Sequence, residues 1–139
     1  MQIRRSATAN WIGTGKDGKG SLTTQSTTLN NAQYGFKSRF EDGVGTNPEE
    51  LIGAAHAGCF SMKLAFNLQT ANFTPDSIET KATVVLDNGT ITDIELETTV
   101  KAMGLTEEKL SEFVADAKAN CPISKLLNAT IHVKQTLLQ

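Results

Sequence analysis

Hydrophobic and polar residues alternate with a period of two through residues 3–12, with Ile3, Arg5, Ala7, Ala9 and Trp11 on one side. That spacing predicts a strand. The glycine-rich stretch Gly13–Gly20 reads as a turn, and Ser21–Leu29, rich in β-branched threonine, as a second strand. Tyr34, Phe36, Ser38 and Phe40 then share one face of an expected third strand, which puts Lys37, Arg39 and Glu41 on the other face. After the loop Asp42–Asn47 the period changes. Pro48 suits a first helical position with Asn47 as N-cap, and Glu49 and Glu50 suit the positive end of the helix dipole. This helix is expected to run to about Ala71. Its apolar residues cover nearly the whole circumference, the mark of a helix enclosed on all sides. Small residues from Gly53 to Gly58 let another backbone approach closely, and in a chain this short a second copy is the natural partner.

Beyond the helix, Ile78, Thr80, Ala82, Val84 and Leu86 alternate, Asn88-Gly89 makes a type I′ turn, and Ile94, Leu96, Thr98 and Val100 alternate again. Thr106 caps a further helix whose apolar stripe is Leu110, Phe113, Val114 and Ala117, with Leu105 stapled onto Leu110. Asn120 ends it. Pro122 opens a short helix with Cys121 at the N-cap, and Ile131, Val133, Gln135 and Leu137 form a last strand. The expected order is βββ-α-ββ-αα-β, an α+β fold in a single domain spanning 1–139.

Composition narrows the function. Hydrophobic residues are 39%, charged residues 20% and the net charge is −2, the balance of an ordinary globular protein. No basic tract marks a nucleic-acid partner. Polar residues interrupt the apolar stretch Leu51–Leu68, so no membrane partner is expected either. Arg4 and Arg5 precede Ser6–Asn10 where a signal peptide needs an apolar core, so a reducing cytoplasm is the expected location. There the two cysteines are either inert core residues or transient redox groups.

Three patterns mislead. Gly13, Gly15 and Gly18 spell G-x-G-x-x-G, and nearly a phosphate-binding loop, but a strand follows where a helix must open, and Gly20 stands where Ser or Thr is needed. A hairpin turn explains them. His56, Cys59, Cys121 and His132 make a scattered set with no CxxC pair, so no metal is expected and His56 reads as a packed histidine. The Asn-x-Thr triplets at Asn72, Asn88 and Asn128 carry no meaning for glycosylation in the cytoplasm.

Taken singly, each cysteine fits a small buried hydrophobe. Two features weigh against that. Cys121-Pro122 sets a sulfur at a helix N-terminus, where backbone N–H groups favour thiolate. Cys59 lies mid-helix and needs a nearby cation, for which Arg39, able to hold a carboxylate in its fork at the same time, is the candidate.

Arg39-Phe40, the run Gly45-Thr46-Asn47-Pro48-Glu49-Glu50-Leu51-Ile52-Gly53-Ala54-Ala55-His56-Ala57-Gly58-Cys59-Phe60-Ser61-Met62 and the later Asn120-Cys121-Pro122-Ile123-Ser124 resemble the osmotically inducible protein C and organic hydroperoxide resistance family. The histidine before Ala-Gly-Cys resembles the osmotically inducible branch. The resemblance implies an intertwined homodimer with long central helices packed between the subunits and sheets outside. It also implies a peroxidase in oxidative and osmotic stress defence that prefers organic hydroperoxides to hydrogen peroxide and is recharged by a dithiol such as a lipoyl group. By position, Cys59 matches the peroxidatic cysteine, Cys121 the resolving one, Arg39 the thiolate-stabilising arginine and Glu49 the glutamate that orients it; Glu50 holds a neighbouring, supporting position. Gly58 replaces a common alanine.

Sulfur chemistry supplies the cycle without metal, flavin or haem: thiolate attack, sulfenic acid, disulfide, then reduction by exchange. If Glu49 and Cys59 share one straight helix, about 15 Å of axial rise separates them. A paired Arg39–Glu49 then serves the other subunit's cysteine, unless a kink near Gly53 shortens the distance. Two other readings stay open: a non-catalytic redox sensor, which oxidises without turnover, and a stress-induced binding protein with unreactive thiols.

Overall fold

In the computed structural model, which describes residues 1–139, the chain divides into two units, Met1–Leu51 and Ile52–Gln139. The first holds an antiparallel sheet of β1 (Ala7–Ile12), β2 (Lys19–Thr24) and β3 (Ala32–Tyr34), in that order. Its first connection is the glycine turn. Gly13 sits at φ +97°, the Gly18 amide bonds the Thr14 carbonyl at 2.8 Å, and a Cβ on Gly18 would strike the carbonyl oxygens of Ile12 and Thr14. Those glycines serve backbone geometry.

The expected third strand is corrected by the structure. β3 stops at Tyr34, and Phe36–Phe40 coil into a five-residue helix, α1. Ser38 explains the change. Its hydroxyl accepts the Gly35 amide at 2.9 Å and lies 3.0 and 2.8 Å from the carbonyls of Gly35 and Thr46, so a side chain takes over backbone partners that a strand ladder would need. Phe36 and Phe40, expected on one face of a strand with Ser38 between them, are also i,i+4 partners, and their ring centroids stand 5.0 Å apart. The order is therefore βββ-αα-ββ-αα-β, still α+β.

The helix α2 (Pro48–Thr70) begins where the caps predict: the Asn47 side chain accepts the Glu50 amide at 2.8 Å. It continues into the second unit, which adds β4 (Pro75–Asp87), β5 (Thr90–Ala102), α3 (Glu107–Asn120), α4 (Pro122–Leu126) and β6 (Thr130–Leu138). β4 and β5 form the expected hairpin, with Asn88 at φ 49° and Gly89 at φ 79°. β6 lies parallel to β5, so the sheet order is β4-β5-β6, and α3 with α4 supply the crossover that parallel pairing requires.

The core of this unit is built at helical and strand periods. Phe60, Leu64 and Leu68 come from α2, Ile94, Leu96 and Val100 from β5, and Leu110, Val114 and Ala117 from α3. Each large side chain among them contributes roughly 1.5–3 kcal/mol by leaving water. Along α2 the residues Ala54, Ala55, Gly58, Met62 and Phe66 stay exposed, Met62 at 65% and Phe66 at 56%. One chain thus covers only one face of the helix. No helix is long and apolar enough to cross a membrane.

Candidate active site

Arg39 is the fourth residue of α1, and Glu49 lies in the first turn of α2. The sequence brings them together through Asn47, whose amide caps α2 and also donates to the Ser38 carbonyl at 2.9 Å, tying the two helices at their junction. The ion pair is bidentate, Arg39 Nε to Glu49 Oε1 at 2.9 Å and Nη2 to Oε2 at 3.2 Å. A fork of this kind fixes the guanidinium in orientation as well as position. Its ζ-carbon lies 5.1 Å from the centroid of the Phe40 ring. Glu49 is buried, while the Arg39 side chain remains 40% exposed and free to meet a further group. Glu50 stands apart from this pair: its carboxylate takes the Thr46 hydroxyl at 2.7 Å.

Both cysteines are free and belong to the second unit. Cys59, on α2, is half-buried and packs against the core; Cys121, between α3 and α4, is fully buried. The Cys121 sulfur caps α4 by accepting the Ser124 amide at 3.3 Å, and its backbone N–H closes α3 on the Ala117 carbonyl. The two thiols are near enough for each to influence the other's ionisation. Burial pushes the Cys59 thiol above its ordinary range; the Ile123 amide, donating to the sulfur, opposes that, and the adjacent Cys121 adds to it. No cation of the second unit lowers it.

Sequence reasoning missed one element of the site. The Cys121 thiol donates to Ser124 Oγ at 3.1 Å, and that hydroxyl lies 2.7 Å from His56 Nε2. Ser124 follows Cys121 by three positions, so the spacing Cys-Pro-x-Ser alone places a hydroxyl in the first turn beside the capping sulfur. Nothing local announces His56, which is 68 residues away in sequence. Burial holds His56 below its usual range, and its Nδ1 has no partner. His132, the other histidine weighed for a metal, is exposed and pairs with Asp93 at 3.0 Å. The site holds one half-exposed sulfur and a second, enclosed sulfur close by, both as free thiols.

The family model described as OsmC-like protein matches residues 40–136. Among characterised relatives, Peroxiredoxin OsmC of Escherichia coli is 47% identical over 135 residues, 94% of each chain. Organic hydroperoxide resistance protein OhrB of Bacillus subtilis is 34% identical over 100 residues, 70% of this chain and 73% of its own. Its crystal structure superposes with a TM-score of 0.64 at 27% identity, covering 96% of this chain and 98% of that one. An OsmC-like protein from Mycoplasma pneumoniae shares the fold, with a TM-score of 0.77 at 15% identity over the whole of both chains.

Proposed function

The chain belongs to the OsmC-like family, and from that premise we propose that it is a thiol-dependent peroxidase reducing organic hydroperoxides to alcohols. The observation that carries this is the adjacency of the Cys59 and Cys121 thiols, one half-exposed and one enclosed. The Cys59 thiolate attacks the hydroperoxide at the oxygen bearing hydrogen, the O–O bond breaks, alcohol leaves and sulfenic acid remains. Cys121 condenses with it to a disulfide, which shields Cys59 from over-oxidation, and an external dithiol of the lipoyl kind restores both thiols. Because burial, and after it the neighbouring Cys121, raises the Cys59 thiol, the cycle needs a positive charge over that sulfur. Arg39, held by Glu49, is that charge, and it also stabilises the oxyanion of the leaving alkoxide. Glu50 supports it only by fixing the first turn of α2 through Thr46.

The working unit is a homodimer acting in the cytoplasm. Two features support the second copy: the exposed stripe Ala54–Phe66 on α2, and β1, all of whose residues are exposed, Trp11 and Ile12 among them. The 1–139 chain acts as one domain in this proposal, since the family match runs across the Leu51–Ile52 boundary. α2 is unbroken from Pro48 to Thr70, which leaves Glu49 and Cys59 about 15 Å apart along its axis. Each site therefore combines Cys59 and Cys121 of one subunit with Arg39 and Glu49 of the other.

Peroxide consumption in the presence of dithiothreitol, with cumene hydroperoxide against hydrogen peroxide, tests the reading. Wild type is expected to favour the organic peroxide and Cys59→Ser to be inactive; turnover by Cys59→Ser overturns the assignment. Mixing Arg39→Ala with Cys59→Ser subunits tests the sharing. One site in each heterodimer is then intact, so about half the wild-type activity returns; no recovery refutes a shared site.

A further inference from the structure

We propose that Ser124 and His56 are a proton relay that drives the second half of the cycle, in which Cys121 closes the disulfide. The inference rests on the two-cysteine reading above and assigns it two residues that reading does not use. The geometry is a chain of donors and acceptors running one way. The Cys121 thiol donates to Ser124 Oγ at 3.1 Å, and Ser124 in turn faces His56 Nε2 at 2.7 Å. With its hydroxyl occupied as acceptor by the thiol proton, Ser124 has its own proton left to give, and Nε2 is the acceptor within reach.

All three groups are buried. His56 occupies its place at a penalty, because Nδ1 is enclosed without a partner. An apolar side chain would fill the same space with no orphaned nitrogen, so packing alone does not account for a histidine here. Enclosure keeps the ring neutral at rest, which leaves Nε2 open to take a proton. Three residues further along α2 stands Cys59, the atom to be attacked.

The step balances. As Cys121 Sγ bonds to the Cys59 sulfur, the S–O bond of the sulfenic acid breaks and hydroxide leaves, taking a proton from solvent to become water. The thiol proton passes to Ser124 Oγ while the Ser124 proton passes to His56 Nε2. The Cys121 sulfur is oxidised and the Cys59 sulfur reduced. The imidazolium, unstable in its enclosed position, then returns one proton to solvent, so the net products are disulfide and water. Ser124 touches the reacting sulfur and is the catalytic member; His56 acts through it.

A single-turnover experiment with cumene hydroperoxide separates the two halves, sulfenic acid being trapped with dimedone and disulfide read as loss of free thiols by mass. In His56→Gln, which keeps a hydrogen-bonding amide near Ser124 but no proton acceptor of comparable basicity, sulfenic acid is expected to accumulate. Its conversion to disulfide is expected to slow roughly 10²-fold relative to the peroxide step in the same variant, the lower end for general base catalysis. Ser124→Ala behaves likewise, and Ser124→Thr, which retains the hydroxyl, recovers the rate. Disulfide closure at wild-type speed in His56→Gln overturns the relay, as does an equal slowing of both halves in His56→Gln and Ser124→Ala. A wild type that forms sulfenic acid and never the Cys59–Cys121 disulfide overturns the two-cysteine reading itself, and the relay with it.

Discussion

Arg39 engages Glu49 through two nitrogens, and a lysine presents only one point of attachment. Arg39→Lys therefore keeps the charge and loses the aim. Its kcat/KM for cumene hydroperoxide is expected to fall roughly 10²-fold, the loss typical of one misplaced oxyanion donor, with an unchanged circular dichroism spectrum as control. The pH profile separates charge from aim. Burial raises the Cys59 thiol, so its thiolate fraction, and with it the peroxide step, grows as pH rises. Removing a cation that favours thiolate moves that rise further into alkali. Stopped-flow rates of Arg39→Ala across pH are expected to show the shift, whereas an unshifted profile removes Arg39 from thiolate stabilisation. His56 responds in the opposite pH direction. Its folded-state affinity for a proton is lowered by burial, so on acidification the unfolded chain takes up the proton first, and the folded state loses stability as pH falls below about 6.5. Thermal unfolding at neutral and mildly acidic pH is expected to show a smaller acid loss in His56→Gln than in wild type. At this scale the cysteines and Arg39 were legible because their chemistry and motif are carried by residue type. The Ser124–His56 contact was not, because it joins positions 68 apart that only the fold brings together.

Elements announce themselves where a side chain settles the backbone locally. Asn47 ahead of Pro48, Thr106 ahead of two glutamates, and Asn88-Gly89 each end or start an element at the place the sequence indicates, since cap and turn preferences act within a few residues. Phe36–Phe40 shows the limit. Five residues with period-two apolar spacing also satisfy a helix, and the decision fell to Ser38 bonding Gly35 and the more distant Thr46. The parallel β5–β6 pairing was equally silent, because alternation fixes which face is buried and not which neighbour a strand takes. Asn47 carries the most consequence among the caps, because its two bonds set both the start of α2 and the approach of α1. Asn47→Ala is expected to cost about 1 kcal/mol, read as a lower urea midpoint at constant slope. Peroxidase activity should fall with it, since Arg39 and Glu49 flank that junction.

Assembly is the scale at which one chain explains least of itself. Met62 and Phe66 project from α2 into solvent on the face opposite Phe60 and Leu64, though the composition of that helix demanded cover on every side. Under the shared-site proposal a charge placed there both splits the dimer and parts Cys59 from its arginine. Phe66→Glu is expected to sediment as a monomer with little peroxidase activity; a fully active monomer defeats the sharing. The second unit's sheet has a consequence of its own. β5 has a partner along both edges, a hairpin neighbour on one side and, on the other, a strand that returns only after two helices. In deuterated water its amides should therefore be the last of that sheet to surrender their hydrogens, while β6, held along one edge only, exchanges sooner. Fluctuations that peel β6 from the sheet then spend themselves at the far end of the chain, and Ile94, Leu96 and Val100 keep their places in the core shared with Phe60 and Leu64 of the helix that bears Cys59.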